Sequence, residues 1–364
     1  MTGRGVATAL AIVVGCADPA PLRIAVVEGN GAHHAAELAA EDINASGGIR
    51  GRLLEVVVVI EPEDVTTQNA IATADSLASE PGILAVIGHG GSSTSLAASQ
   101  VYNARRVPQL APTTSSPLYT TAGPYSFRMV ASDDHQAEFI ARQVEGRRDV
   151  RSVAVLYDND DYGVALRRAL AESLRRRAVR VAYEAPFIGG PGFEREVTGI
   201  LQSVAAADPD LLIWIGLTPE LRLLRDPLRR ALPGLSVLGS DGVSFIGAGT
   251  DGVAFQGDWV VSLTDVHSAH PELRAVADRF RPLAGRALTD AAALVYDAVG
   301  VIADAMRNGA DTRDAIQRFL ESGAASGRTY AGITGTIAFD ENGDAQPAYV
   351  LLEIVPGGTR VAAR

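Results

Sequence analysis

Apolar and polar stretches alternate in a regular order along the chain. The run LRIAVV, which begins at residue 22, predicts a buried strand that leads through a glycine turn into a helix, and NASGG ends that helix. RLLEVVVVI predicts a second strand, TTQNAIATADSLAS a second helix with a hydroxyl cap, and GILAVIG a third strand. This order predicts an α/β fold in which helices cover both faces of a doubly wound parallel sheet.

The pattern restarts at residue 150, where VRSVAVLYDNDDYGVALRRAL again leads from a strand through a polar glycine turn into a helix. PDLLIWIGLTPELRLLRDPLRRALPGLSVLGSDGV predicts two more strands and the helix between them. The spacing of apolar residues then predicts helices in HPELRAVADRF, DAAALVYDAVGVIADAM and DTRDAIQRFL. GITGTIAFDENGDAQPAYVLLEIV predicts a hairpin with its turn at Asn342 and Gly343. The repeated order indicates two similar lobes.

The composition fits two globular domains. The chain has 364 residues, 47% of them hydrophobic, which is enough to bury two cores. Its net charge is −11, and it contains neither lysine nor a basic block, so nucleic acid is a poor candidate partner.

The first residues have the pattern of an export signal. Arg4 precedes an apolar run from Val6 to Val14, which is too short to span a bilayer, and Gly15 and Cys16 follow. The alternative is a short buried strand or helix with an incidental cysteine. The order Val-Val-Gly-Cys resembles a bacterial lipobox, which predicts a signal peptide over 1–15, lipid attachment at Cys16 and an anchored linker over 16–21. The exported globular part would then contain no cysteine and no disulfide.

Two hydroxyl-rich stretches follow predicted strands. HGGSSTS at 89–95 lies between a strand and a helix, where free backbone N–H groups and the helix dipole favour an anion. A simpler interpretation is that Ser92 or Ser93 caps the helix. The next strand, however, also leads into a cluster, Thr113 to Ser116. The carboxyl ends of parallel strands meet at one edge of a sheet, so both clusters are predicted to border a ligand crevice.

The sequence gives less support to a hydrolase, a dinucleotide-binding protein or a metal site. HGG as an oxyanion loop of a hydrolase would need a nucleophile elbow, and no G-x-S-x-G occurs. GNGAHH begins like a dinucleotide fingerprint but has His34 in place of the third glycine. The histidine pairs His33 with His34 and His267 with His270 have no matching second cluster of metal ligands. We therefore expect no cofactor and no metal.

The second half of the chain contains an aromatic residue and a carboxylate that could bind other parts of the same ligand. In YDNDDYG, Asp160 and Asp161 are predicted to cap the next helix, whereas Tyr162 can present a ring and a hydroxyl at a crevice edge. LGSDGVS places Asp241 after another buried strand. A carboxylate that faces the hydroxyl clusters from the other lobe is a suitable partner for an ammonium group.

The chain resembles the leucine/isoleucine/valine-type periplasmic binding proteins, the type I solute receptors of ABC importers. The resemblance covers nearly the whole chain after the leader, through AAEDINASGGIRGRLLEV, VIGHGGSSTSLAASQVY, LAPTTSSP, YSFRMVASDDHQA, VAVLYDNDDYG, LGSDGV and FDENGD. It implies two α/β lobes joined by three crossings near 131, 266 and 333. Lobe 1 would comprise 22–131 and 267–332, and lobe 2 would comprise 132–266 and 333–364.

The resemblance also implies a set of ligand contacts. Ser92, through its hydroxyl and backbone N–H, and Ser115, through its hydroxyl, would hold an α-carboxylate. The carbonyl of Thr113 and the carboxylate of Asp241 would hold an α-ammonium. Tyr162 would lie against the ligand, and Leu217 falls where the family often has an aromatic wall.

The chain departs from the family pattern at the side-chain end of that site. The first loop, EGNGAHHAAEL, is short and lacks an aromatic residue, and Gly90 takes the place of a common apolar side chain. Gly91 replaces a cysteine that forms a disulfide in some members, and Asp241 is one methylene shorter than the usual glutamate.

These observations predict a lipid-anchored receptor, periplasmic or on the cell surface, that binds an amino acid or similar small polar solute and delivers it to an ABC permease. It would be a monomer, would catalyse no reaction, and would touch the membrane only through its anchor. The alternatives are a signalling receptor of the same fold and a hydrolase that uses the HGG loop.

Overall fold

The structure is a computed structural model that describes residues 19–29, 31–62, 64–244, 246, 253–345 and 348–363. The predicted signal peptide and Cys16 lie outside the described residues. Within these ranges the chain forms the following fourteen strands: β1 Leu22–Glu28, β2 Leu54–Ile60, β3 Ile83–Gly88, β4 Gln109–Ala111, β5 Ser126–Arg128, β6 Ser152–Asp158, β7 Arg180–Phe187, β8 Leu211–Ile215, β9 Ser236–Gly239, β10 Trp259–Ser262, β11 Tyr330–Gly332, β12 Gly335–Ile337, β13 Val350–Val355 and β14 Gly358–Ala363.

The same ranges contain ten α-helices: α1 His33–Ala45, α2 Thr67–Ser79, α3 Ser92–Ala104, α4 Asp133–Glu145, α5 Asp161–Arg176, α6 Glu194–Ala207, α7 Thr218–Ala231, α8 Pro271–Ala284, α9 Asp290–Arg307 and α10 Arg313–Ser326. Side-chain caps begin several of them; the predicted cap at Asp160 is confirmed, whereas Asp161, also predicted to cap, is the first residue inside α5. Thr66 accepts a hydrogen bond from Asn69 N before α2, and Asp160 accepts one from Gly163 N before α5. No helix in the described part of the chain is long and apolar enough to cross a membrane.

The first sheet has five parallel strands in the order β2-β1-β3-β4-β5. Helices α1, α8 and α9 pack together on it, and α2 packs against α3. Its central strands β1 and β3 are almost wholly buried, as expected for a sheet that is covered on both faces. The predicted α/β alternation is therefore confirmed.

The second sheet has seven strands in the order β14-β13-β10-β9-β8-β6-β7. Strands β6 to β10 pair in parallel, whereas β13 and β14 add an antiparallel edge. Helices α4 and α5 pack against each other, as do α6 and α7. In a core cluster of this sheet Phe187 stacks on Trp214 with 4.4 Å between the ring centroids, and Phe193 packs edge-to-face against both.

The predicted hairpin is wrong in its extent. A turn does form at Asn342 and Gly343, where Asp340 accepts hydrogen bonds from both backbone N–H groups, but only an isolated bridge between Phe339 and Ala345 follows it. The long hairpin is β13 with β14, which turns at Pro356 and Gly357. Strand β12 instead pairs with β11, so the segment contributes to two different sheets.

Candidate ligand-binding site

The first hydroxyl stretch lies at the start of α3, at the carboxyl edge of the first sheet. Gly91 is the N-cap and has no side chain, and Ser92 is the first helical residue, so the hydroxyl of Ser92 does not cap the helix. Ser92 is 6% exposed, and its Oγ accepts a hydrogen bond from Ser116 N at 3.4 Å. The stretch therefore presents the hydroxyl and the free N–H groups of a helix N-terminus, as predicted.

The second hydroxyl stretch is tied to the first. After β4, Thr113 Oγ1 donates to the carbonyl oxygen of Gly90 at 2.8 Å, and Thr114 Oγ1 donates to Ser95 Oγ at 2.7 Å. Ser115 is 1% exposed, and its hydroxyl has no hydrogen-bond partner of good geometry among the described residues. The structure thus brings Ser92, Thr113 and Ser115 together, and the hydroxyls of Ser115 and Ser116 are buried without a hydrogen bond of good geometry among the described residues.

A buried arginine holds the backbone of the second hydroxyl stretch in place through hydrogen bonds. Arg128 donates to the carbonyl oxygens of Ser115 at 2.9 Å and Ser116 at 2.8 Å, and it pairs with both carboxylate oxygens of Asp344 at 2.7 and 2.5 Å. Arg128 is 1% exposed and its charge is balanced by Asp344. This ion pair fixes the backbone of the hydroxyl stretch to the 340–345 turn, which is far away in sequence.

The second lobe contributes a carboxylate and a phenol. Tyr162, at the start of α5, donates from its hydroxyl to Asp241 Oδ1 at 2.5 Å, and this hydroxyl also lies 2.7 Å from Ser240 Oγ. Gln136 of α4 donates from Nε2 to the same carboxylate oxygen at 2.8 Å and accepts from Asp241 N at 3.1 Å. Both side-chain hydrogen bonds end on Oδ1.

Burial changes the acidity of this carboxylate. Burial raises the pKa of Asp241 to about 6, although the hydrogen bonds from Tyr162 and Gln136 lower it. Asp241 is 6% exposed. A partly desolvated carboxylate that still ionises near neutral pH is well suited to pair with an ammonium group.

A second buried acid, Asp133, escaped the sequence analysis. Asp133 begins α4, its backbone N–H donates to Ser115 O at 2.9 Å, and its carboxyl group lies beside the Ser115 hydroxyl without a hydrogen bond of good geometry among the described residues. Burial raises the pKa of Asp133 well above its ordinary value, and the charge of Asp241 adds to this effect. In SDDHQ this residue has the pattern of an exposed helix start, so only tertiary packing reveals it. Asp133 therefore adds a second acidic group beside the hydroxyl stretch.

Leu217 lies on the same wall as Tyr162 and Asp241. A side chain at Gly242 would come within 3.3 Å of both Leu217 Cδ2 and Tyr162 Cε1, so these two residues approach each other across the glycine. Leu217 is 44% exposed. The predicted site residues therefore form two groups: Ser92, Thr113 and Ser115 after the first sheet, and Tyr162, Leu217 and Asp241 after the second.

The remaining candidates do not form a site. His267 Nε2 lies 2.7 Å from Thr359 Oγ1, and His34 Nδ1 lies 2.9 Å from Glu37 Oε2 at the surface. No group of three or more potential metal ligands is found among the residues that the structure describes.

Two α/β sheets, one parallel and one parallel with an antiparallel edge, carry polar loops at their carboxyl edges and define a two-lobed binding protein. The sequence model of the family described as "Periplasmic binding protein" matches residues 24–359. The chain belongs to this family, in its type I, leucine/isoleucine/valine-binding group. Members of the family are exported solute receptors rather than enzymes.

Named relatives and solved structures agree with this placement. An amino acid binding protein of Pseudomonas aeruginosa is 29% identical over 68% of this chain, an alignment that spans 65% of that protein. A Leu/Ile/Val-binding protein homologue of Brucella suis is 26% identical over 87% of this chain and 83% of its own length. The crystal structure of a leucine-binding protein from Thermotoga maritima has a TM-score of 0.83 at 22% identity and covers 94% of this chain and 98% of its own.

Proposed function

We propose that this protein binds an amino acid in the cleft between its lobes and delivers it to an ABC permease. The observation that carries the proposal is the buried carboxylate of Asp241, which lies on one wall while Ser92 and Ser115 lie on the other. An amino acid has one anionic and one cationic group on the same carbon. The two walls offer one partner for each.

The anionic end fits the first lobe. A carboxylate can accept hydrogen bonds from the Ser92 N–H, the Ser92 hydroxyl and the Ser115 hydroxyl. The start of α3 adds the positive end of a helix dipole. The hydrogen bonds from these donors are charge-assisted when the ligand is an anion.

The cationic end fits Asp241 and the Thr113 carbonyl. Tyr162 and Gln136 hold the orientation of the carboxylate, and the ring of Tyr162 and the side chain of Leu217 offer apolar surface beside it. The names of relatives support this assignment, because an amino acid binding protein and Leu/Ile/Val-binding homologues are among them. A solved structure of the same fold holds isoleucine, and another holds benzoate, which has no ammonium group. Asp241 favours the amino acid.

Export and anchoring complete the proposal. Cys16 follows the apolar run of the leader and would carry the lipid after cleavage. In a bacterium that expresses the whole chain, wild-type protein is expected in the membrane fraction and the Cys16→Ser variant without lipid. Unprocessed wild-type protein in the cytoplasm would contradict the anchor.

A thermal-shift screen against the twenty amino acids tests the function. A ligand at about 100 times its Kd adds roughly 2.7 kcal/mol of stability, which is a clear shift of the melting temperature. At least one amino acid should produce it. A chain that responds to none of them, while folding cooperatively, would contradict the proposal.

A further inference from the structure

Glu28 lies at the end of β1, beside the first hydroxyl stretch. The neighbouring residue Gly29 has no side chain, and a Cβ there would lie 2.2 Å from the carbonyl oxygen of Glu61, so the ends of β1 and β2 approach closely. Glu61 N donates to Glu28 O at 3.3 Å. Two glutamates thus lie side by side at the carboxyl edge of the first sheet.

The two glutamates differ in their partners. Both oxygens of Glu61 are engaged: Oε1 lies 2.5 Å from His89 Nδ1, and Oε2 accepts from Gly90 N at 3.0 Å. Glu28 is only 5% exposed, and its Oε1 has no hydrogen-bond partner among the described residues. Glu28 is therefore the member of the pair with free acceptor capacity.

Gly90 connects this carboxyl to the proposed ligand site. A Cβ at Gly90 would lie 3.3 Å from Glu28 Oε2, so the glycine leaves the carboxyl uncovered on this side. The carbonyl oxygen of Gly90 accepts from Thr113 Oγ1 at 2.8 Å, and Ser92 follows two residues later. Glu28 consequently borders the same loop that carries the anion contacts.

The electrostatic environment of Glu28 indicates that a cation would be a favourable partner for its carboxyl group. Burial, and the nearby charge of Glu61, raise the pKa of Glu28 well above its ordinary value. An ionised buried carboxylate beside a second carboxylate is costly unless a cation pairs with it.

On the other lobe, Asp158 ends β6 and Glu220 lies in the first turn of α7, where Glu220 Oε2 is buried without a partner in the described residues. Both lobes thus place carboxyl groups at the carboxyl edges of their sheets.

We propose that Glu28 is a specificity-determining residue that binds a cationic group on the ligand's side chain, so that the preferred ligands are basic amino acids. The inference rests on the proposed function, because it places the side chain of an amino acid whose α-groups are held by Ser92, Ser115 and Asp241. It explains the small residue at Gly90 and the lack of an aromatic cover in the first loop.

Isothermal titration calorimetry of the exported protein with L-arginine, L-lysine, L-glutamine and L-leucine tests it. Wild type should bind arginine or lysine at least about 30-fold more tightly than leucine, the factor expected for a desolvated charge pair. Glu28→Gln should remove most of that preference and change the affinity for glutamine and leucine only about twofold. If leucine binds as tightly as the basic amino acids, or if Glu28→Gln leaves their affinity unchanged, the inference is wrong.

Two further variants serve as a second test and as a control. Gly90→Ala places a methyl group against the Glu28 carboxyl and should selectively weaken arginine and lysine. Glu55→Gln removes an exposed carboxylate near the other end of the neighbouring strand β2 and should change no affinity. Failure of the proposed function looks different: the wild-type protein would then bind none of the four amino acids, or would bind them regardless of Asp241.

Discussion

At the scale of single residues, the site is defined by which polar atoms the protein leaves unsatisfied. Asp241 Oδ1 already accepts from Tyr162 and Gln136, whereas the hydroxyl of Ser115 and both carboxyl oxygens of Asp133 have no good partner in the described part of the chain. Buried polar atoms without partners are uncommon in folded proteins. Ser115 and Asp133 lie beside each other, and a polar ligand at this place would add hydrogen bonds to them.

The raised pKa of Asp241 predicts a pH dependence of binding. The pKa of Asp241 lies at about 6 in the free protein, so this carboxyl is mainly ionised above pH 6 and mainly protonated below it. A bound ammonium requires the ionised form. The affinity for an amino acid should therefore be constant above about pH 7 and fall by up to about tenfold per pH unit below 6. Titrations between pH 4.5 and 8 measure this slope, and a flat profile would show that Asp241 does not pair with the ligand.

The sequence alone can identify site residues that directly follow a recognisable apolar strand. The hydroxyl clusters at Ser92 and Ser115 and the acid at Asp241 follow apolar strands, and that local pattern is visible. Asp133 and Glu28 are different, because their burial depends on packing against segments that are distant in sequence. Glu28 in VVEGN and Asp133 in ASDDH have the local appearance of solvated charges.

At the scale of elements, most strands and helices follow from the periodicity of apolar residues. The segment after residue 330 does not, because its short apolar runs can pair with several partners. Strands β11 and β12 pair with each other beside α9, whereas β13 joins the second sheet through β10. Only the tertiary arrangement decides between these pairings.

The junction of β6 and α5 controls where Tyr162 lies. A Cβ at Gly163 would be 2.1 Å from the carbonyl oxygen of Asp158, so Gly163→Ala must push the start of α5 away from the sheet. We expect a loss of about 1 to 3 kcal/mol in the free energy of unfolding, as for overpacking elsewhere, together with weaker ligand binding. Chemical denaturation and calorimetry measure the two effects.

Gly199→Ala is the matched control for that variant. Gly199 lies inside α6, and apart from its chain neighbours and the backbone of its own helix no described atom lies within 4 Å of the position its Cβ would take. This variant should gain up to about 1 kcal/mol from helix propensity and bind ligand normally. Equal behaviour of the two variants would contradict the role of the close contact at Gly163.

At the scale of the whole molecule, the proposed contacts belong to two different lobes. A ligand that bridges them favours the closed arrangement through its higher affinity for that state. Small-angle X-ray scattering should therefore give a smaller radius of gyration when an amino acid saturates the protein. A radius that does not change at saturation would indicate a site within one lobe.

The lobe boundaries predicted from the family resemblance, at 131, 266 and 333, stay a prediction. The two sheets nevertheless separate along the chain in a simple way: β1 to β5 form the first, and β6 to β10 with β13 and β14 form the second. The ion pair between Arg128 and Asp344 joins the end of β5 to the segment that precedes β13. Sequence periodicity gives the two-sheet organisation but not this long-range link, since the partners are 216 residues apart.

The central claim is that Asp241 pairs with the ammonium group of a bound amino acid, and the Asp241→Asn variant tests it most directly. Isothermal titration calorimetry should be carried out with the amino acid that stabilises wild type most strongly. Loss of one partner of a buried ion pair typically costs about 3 to 5 kcal/mol, so the affinity should fall by roughly 10² to 10³-fold or more while the melting temperature without ligand stays close to that of wild type. Ser92→Ala, which keeps the backbone N–H, should cost less, about 1.5 to 3 kcal/mol. If Asp241→Asn binds that amino acid as tightly as wild type does, the ammonium assignment is wrong and a ligand without a positive charge occupies the cleft.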